Sequence, residues 1–442
     1  TTAESAHIAA PIRTVSEWMS EFPTNAPMGQ AGTAGMRRWF SGWAIGLLVV
    51  AAVVSLPILT IVTIALTPAP EVWRHLFETV FWTYVGNTLG LAVGVGLGTF
   101  LIGTGTAWLV CSYRFPGRRV FEWALLIPFA VPSYVIAYTY TDLLEYAGAF
   151  QTGLRALFGW ASPRDYWFPE IRSLGGAITM LTLVLYPYVY LLARSAFLQQ
   201  SAGVLEVSRT LGKGPWETFW AVALPMARPA IIVGVTLVLM ETLNDFGTVD
   251  FFAVPTLTLG IFNAWFGMSS IEAAAQLSLA LLGFVMVLIY LERRARQGRQ
   301  FQETRARYHS QSGPKLTGVA GGLAFLACAL PVAMGFVVPA GVLLRYSLIH
   351  YEVSASAQFF SAALHSISLS SVAAAVAVCV GLFMAYALRI HQGKGLRTIA
   401  WFAGLGYGVP GAILAVGAVI PVAWFDNQID AFMRSTFGIS TG

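Results

Sequence analysis

Long uncharged runs of apolar residues recur along the 442-residue chain, separated by short polar stretches. A membrane-spanning helix needs about 20 predominantly apolar residues. Runs of that length lie near 43–66, 82–111, 121–144, 174–194, 228–249, 271–291, 317–344, 363–388 and 399–422, which predicts about nine helices. In lipid every backbone amide must be bonded within its own segment, so these runs predict an all-α integral membrane protein rather than open strands. Gly90, Gly94 and Gly98 fall four apart on the second run, a small-residue face that lets another helix approach closely. Residues 1–35 mix Ser, Thr, Pro, Ala and Gly, with a weak amphipathic pattern from Ile12 to Phe22. They read as a loosely ordered cytoplasmic tail, without the basic n-region and short apolar core of a secretory signal.

Composition sharpens this picture. Charged residues are 11% of the chain and hydrophobic ones 57%, too little charge to cover a water-soluble protein of this size. The placement of the basic residues matters more than their excess. Arg37 and Arg38 precede the first run, and Arg114, Arg118 and Arg119 follow the second. Arg293, Arg294, Arg296, Arg299, Arg305, Arg307 and Lys315 follow the sixth, and Arg389, Lys394 and Arg397 the eighth. The alternate loops are acidic or mixed, so the positive-inside rule places the amino terminus, the 205–226 loop and the 296–315 linker in the cytoplasm.

The 205–226 loop is itself patterned. It reads Glu206-Val207-Ser208, then Gly212 six residues after Glu206, then Val222, Leu224 and Pro225. Two short helices are predicted around the Gly212-Lys213-Gly214-Pro215 breaker, with Leu224-Pro225 turning the chain back into the membrane. This loop resembles the EAA loop by which permease subunits of bacterial ABC importers contact their ATPases. Val207 and Ser208 stand where that pattern has two alanines. The stretch from Glu241 to Pro255, with Ala264-Trp265-Phe266-Gly267-Met268, resembles the ferric-iron permeases, which fuse two permease halves in one polypeptide.

The resemblance implies a type I importer bundle with two homologous six-helix halves, separate ABC ATPase subunits that bind ATP, and a periplasmic substrate-binding protein. It also implies ferric iron as cargo and the bacterial inner membrane as location. Glu206, Val207, Ser208, Gly212, Leu224 and Pro225 would then form the ATPase-coupling element. A thiamine permease or another small-cation permease is the nearest alternative, and a secondary transporter driven by an ion gradient is the alternative from a different class.

The chain also repeats internally. At an offset of 278 residues, Gly103 falls on Gly381, Ala107 on Ala385, Gly117 on Gly395, Arg119 on Arg397, Trp123 on Trp401, Pro132 on Pro410 and Ala137 on Ala415. One inserted residue later, Arg155-Ala-Leu-Phe-Gly falls on Arg434-Ser-Thr-Phe-Gly. The first half is therefore expected over 36–295, a basic linker over 296–315 and a second half over 316–442. A second EAA-like loop would begin near position 484, so the second half reads as incomplete, with three helices present and about three absent.

Candidate chemistry is sparse. Glu241 and Asp245 are the acidic residues of the fifth predicted span, and as i and i+4 on one helix they would share a face. Asp250 follows toward the external end. Intramembrane carboxylates are costly and face a cavity, a partner or a pathway. The three are the candidate translocation residues, with Glu241 and Asp245 the ones that could touch a cation. Bonding to Thr242, Asn244 and Thr248 at an irregular helix end near Gly247 explains them equally well. The histidines are scattered, and Cys111, Cys328 and Cys379 lack metal spacing. The sequence has no G-x-x-x-x-G-K-[ST] loop, no HExxH and no GxSxG, so neither catalytic residues nor a resident cofactor are assigned.

Overall fold

The computed structural model describes residues 42–200, 208, 210–212, 214–296, 313–390, 395, 396, 398–400 and 410–440. The tail 1–35, Arg37, Arg38 and most of the basic linker lie outside the described residues. Among those described the regular structure is helical, with one isolated bridge between Arg114 and Lys315.

In chain order the helices are α1 (Gly42–Ala65), α2 (Pro70–Thr79), α3 (Phe81–Ser112), α4 (Arg118–Ala124), α5 (Ser133–Leu144), α6 (Ala149–Phe158) and α7 (Leu174–Gln199). There follow α8 (Pro215–Asn244), α9 (Gly247–Phe251), α10 (Leu257–Phe262), α11 (Ile271–Arg296), α12 (Gly318–Ile349), α13 (Ala357–Ile390) and α14 (Gly411–Phe437). One-turn π-helices interrupt α8 at Phe219–Ala223 and α12 at Ala333–Val337, and another follows α10 at Asn263–Gly267.

Among the described residues seven helices are long and apolar enough to cross a membrane: α1, α3, α7, α8, α11, α12 and α13. Arg118–Ala130 and Ser133–Phe158 make an eighth if that pair, bent by 90°, counts as one span. The run at 121–144 is thus not one straight helix. Pro132 lacks an N–H and disfavours helical backbone before it, so Val131 is extended (ψ 121°) and the helix restarts at Ser133. The ninth run, 399–422, falls partly on 401–409, outside the described residues. Helix α14 begins only at Gly411 and continues to Phe437, carrying Asp426, Asp430 and Arg434.

The described residues divide into two compact units. The smaller lies within Thr1–Ala52 and Ala375–Ala403, the larger within Val53–Ala374 and Gly404–Gly442. In the smaller unit Ala44 and Leu47 bury against Leu396 and Ala400, and Trp43 packs on Phe383 and Tyr386.

The larger unit is organised around α3, α7 and α8. The small-residue face of α3 meets α7. A Cβ at Gly94 would lie 2.5 Å from Ile178, one at Gly98 2.7 Å from Thr182, and one at Gly103 2.8 Å from the Tyr190 nitrogen. Gly234 brings α8 as close to α7, 3.0 Å from the Val189 Cα. With little apolar gain from leaving lipid, such close backbone approach is what holds membrane helices together. A second buried set joins Leu76, Tyr84, Leu257, Ile261, Leu277 and Ile413 from α2, α3, α10, α11 and α14. Helix α12 packs on the same unit: Phe325 meets Phe121, and the Tyr140 hydroxyl donates to the Met334 carbonyl at 2.7 Å, inside the π-turn.

Candidate functional site

Two features of α8 carry the candidate residues, one at each end. At its start, Glu206 and Val207 lie outside the described residues. Ser208 is buried, and its hydroxyl shares a 3.1 Å hydrogen bond with that of Thr218, which ties the polar loop to the first turn of α8. Gly212 holds φ +81° with open space around it, a left-handed turn that only glycine adopts without cost. Gly214 and Pro215 then start the helix, proline's fixed φ suiting its first position.

Beneath the loop, Phe219 packs against Trp108 of α3 (5.2 Å between centroids), which in turn meets Phe197 of α7 (5.3 Å). The Gln200 side chain donates to the Ala223 carbonyl at 2.8 Å. Above this aromatic seat Leu211, Trp216 and Trp220 stand 74%, 73% and 58% exposed. The arrangement is a rigid base with apolar knobs facing outward, the form in which a short helix docks in a partner's groove.

Leu224 and Pro225 do not turn the chain. Helix runs unbroken from Pro215 to Asn244, and both residues lie within it. The π-turn just ahead already widens the bonding ladder there, so the donor that proline lacks costs little.

At the far end α8 stops one residue short of Asp245, whose backbone is extended (φ −70°, ψ 117°). Glu241 and Asp245 therefore do not share a continuous helix face. The Asp245 carboxylate accepts the Thr248 N–H at 2.8 Å and the Thr248 hydroxyl at 3.2 Å, capping α9. It also accepts the hydroxyl of Ser133, the first residue of α5. Glu241, half-buried one turn earlier, accepts from the Tyr188 hydroxyl at 3.3 Å. Tyr188 stands edge-on to Phe129, 4.6 Å away at the break before α5. The side chain of Asn244 accepts the Gly411 N–H. Asp250 is exposed in the five-residue α9 and is not brought to this cluster by any of these bonds.

The break thus unites Glu241 and Asp245 with Ser133, Tyr188 and Gly411, none of which was a sequence candidate. The prolines ahead of Ser133 and Gly411, equivalent in the repeat, were the available signal. Among the described residues no group of three or more His, Cys, Asp or Glu side chains is placed to hold a metal ion.

Residues 94–298 match the family of binding-protein-dependent transport system inner membrane components, a stretch that includes both ends of α8. This is a family of transport subunits, not of enzymes. Among individual proteins, the chain is 25% identical over 364 residues to the Fe(3+)-transport system permease protein FbpB 2 of Haemophilus influenzae, covering 80% of this chain and 66% of that protein. It is 28% identical over 152 residues to the sulfate transport system permease protein CysT of Escherichia coli, 33% of this chain and 50% of that one. It is also 28% identical over 141 residues to the molybdenum transport system permease protein ModB of Escherichia coli, 32% and 58%. The matches span between 50% and 66% of the length of these relatives.

Proposed function

We propose that this chain is the transmembrane permease subunit of an ATP-driven importer, taking ferric iron from a periplasmic binding protein and releasing it into the cytoplasm by alternating access. The observation that carries this reading is the loop at the start of α8, where a left-handed Gly212 and the exposed Leu211, Trp216 and Trp220 sit on a buried aromatic base within the family-matched stretch. Two separate ATPase subunits bind and hydrolyse ATP, and this loop receives their motion. Glu206, Val207 and Ser208 begin the coupling element. The basic loops put it, with the amino terminus, on the cytoplasmic side of a bacterial inner membrane.

Ferric iron is favoured because similarity to the iron permease extends over 80% of this chain, against 33% for the sulfate permease of Escherichia coli. Two homologous halves, 36–295 and 316–442 joined by 296–315, complete the reading. In its favour, Pro132 and Pro410 start α5 and α14 with nearly the same backbone (φ −60°, ψ 140° and φ −54°, ψ 138°). Gly159 and Gly438 end α6 and α14 in matching left-handed caps (φ 70° and 69°).

The test is uptake into vesicles holding the chain and its ATPase, with the binding protein loaded with ferric iron or with thiamine. ATP-dependent iron uptake is expected. Thiamine uptake would replace the cargo, and uptake driven by a proton or sodium gradient without ATP would overturn the importer reading. In the same vesicles Glu241→Gln should lower iron uptake by about tenfold, the scale of one lost charge-assisted hydrogen bond, while leaving the amount of inserted protein unchanged. Unaltered uptake would remove Glu241 from the pathway.

A further inference from the structure

Two bonds at the break in α8 share an unexpected relation. Asp245 holds Ser133 and Asn244 holds Gly411, so adjacent side chains grip two different helices at their first residues. Ser133 and Gly411 are 278 residues apart, the offset of the internal repeat, and each follows an equivalent Val-Pro pair. The helices they start, α5 and α14, are therefore repeat-related, and each begins directly after a proline. A helix start exposes N–H groups that lack intrahelical partners. In a membrane such groups need an acceptor from elsewhere. Asn244 supplies one to the Gly411 N–H. Asp245 takes the Ser133 hydroxyl with one oxygen while the other caps α9 through the Thr248 N–H.

We infer that Asn244 and Asp245 form a single joint that ties the starts of α5 and α14 to the break in α8, so that the two repeat-related helices are held or released together. Independent bonds to two separate helices would carry no such coupling. Here, however, the two acceptors are consecutive residues, Asn244 the last of α8 and Asp245 the extended residue that follows it. The end of α8 sets where the Asn244 side chain reaches, the extended backbone of Asp245 (ψ 117°) turns the next side chain toward Ser133, and the Thr248 bonds hold that backbone. Losing either grip frees the segment that positions the other. Asn244 and Asp245 are in this sense positioning residues, and the inference stands whether or not the chain imports iron.

Hydrogen–deuterium exchange of the full chain in nanodiscs reads this directly. Asn244→Ala should speed exchange about fivefold, the effect of one hydrogen bond of ordinary strength, in peptides at the start of α14 and equally in those at the start of α5. Faster exchange at α14 alone, or at neither helix, would overturn the joint. Exchange along α3 is the internal reference. If that rises too, the comparison passes to Ser133→Ala, which removes one hydroxyl and leaves α8 untouched. Faster exchange at the start of α14 after this remote change supports the joint, and unchanged exchange there overturns it.

Discussion

Gly103→Val is expected to cut the yield of monodisperse, detergent-solubilised protein by about tenfold or more, the consequence of overpacking a buried contact by several atoms. A Cβ at Gly103 would lie 2.7 Å from the Val189 Cβ, 2.8 Å from the Tyr190 nitrogen and 2.9 Å from the Tyr186 carbonyl oxygen. Two of these are backbone atoms of α7, so no side-chain rotation relieves the clash and the helix itself must move. Tyr186 and Tyr190 are fully buried there, and the Tyr190 hydroxyl donates to the Glu122 carbonyl at 3.1 Å. Displacing α7 would open this core and lengthen that bond. Gly105, two residues on, has nothing within 4 Å, and neither has Gly381, the repeat counterpart of Gly103. Valine at either should leave size-exclusion profile and melting temperature close to those of the parent. Should Gly103→Val melt like Gly105→Val, the close approach of α3 and α7 would be refuted.

That contrast marks what the sequence discloses and what it withholds. The spacing of Gly90, Gly94 and Gly98 announces a close helix contact, because small residues four apart must lie on one face. It does not say which helix arrives, and Gly103, off that spacing, is the one of the four whose nearest neighbours include backbone atoms. Apolar runs locate the seven long spans because desolvation depends on composition alone. They mislead at 121–144 and 228–249, where local chemistry overrides hydropathy. Pro132 breaks the first, and Asp245 ends the second by capping the helix beyond it. The acidic pair at the end of α8 could be found by its rarity in an apolar run, and bonding to Thr248 was one of the two readings it allowed. Its partners Ser133 and Tyr188 come from 112 and 53 residues away in sequence, and no local pattern brings them together. Leu224 and Pro225 resemble a turn signal, yet a π-turn lets the helix pass through them. Only at Gly212 does the residue type alone forecast the backbone, since a breaker of Gly-Lys-Gly-Pro needs a left-handed position.

Gly212→Asp is expected to leave the chain inserted and folded but to uncouple ATP hydrolysis from uptake, lowering transport by at least about tenfold. At φ +81° a residue with a Cβ is strained, by about 1–2 kcal/mol for an ordinary side chain and by less for Asp or Asn. No atom lies within 4 Å of the new Cβ, so this strain acts on the turn and not on the core below. The Ser208–Thr218 bond and the Trp108–Phe219 contact should survive, and with them the melting temperature. What changes is the presentation of Leu211 and Trp216, the knobs on either side of the turn, together with a negative charge between them. A transmitted push depends on that geometry more steeply than folding does, because misplacing a docked element by a fraction of an ångström forfeits its contacts with the partner while the base stays intact. Gly212→Asn separates the causes. Asparagine meets the same backbone demand as aspartate and adds no charge, so uptake that it keeps and aspartate loses is lost to the charge. In reconstituted vesicles the ATPase should still turn over with Gly212→Asp, no longer stimulated by the loaded binding protein. Coupled uptake at the parental rate in that variant would sink the role of the loop, and uptake indifferent to the ATPase in both chains would sink the importer with it.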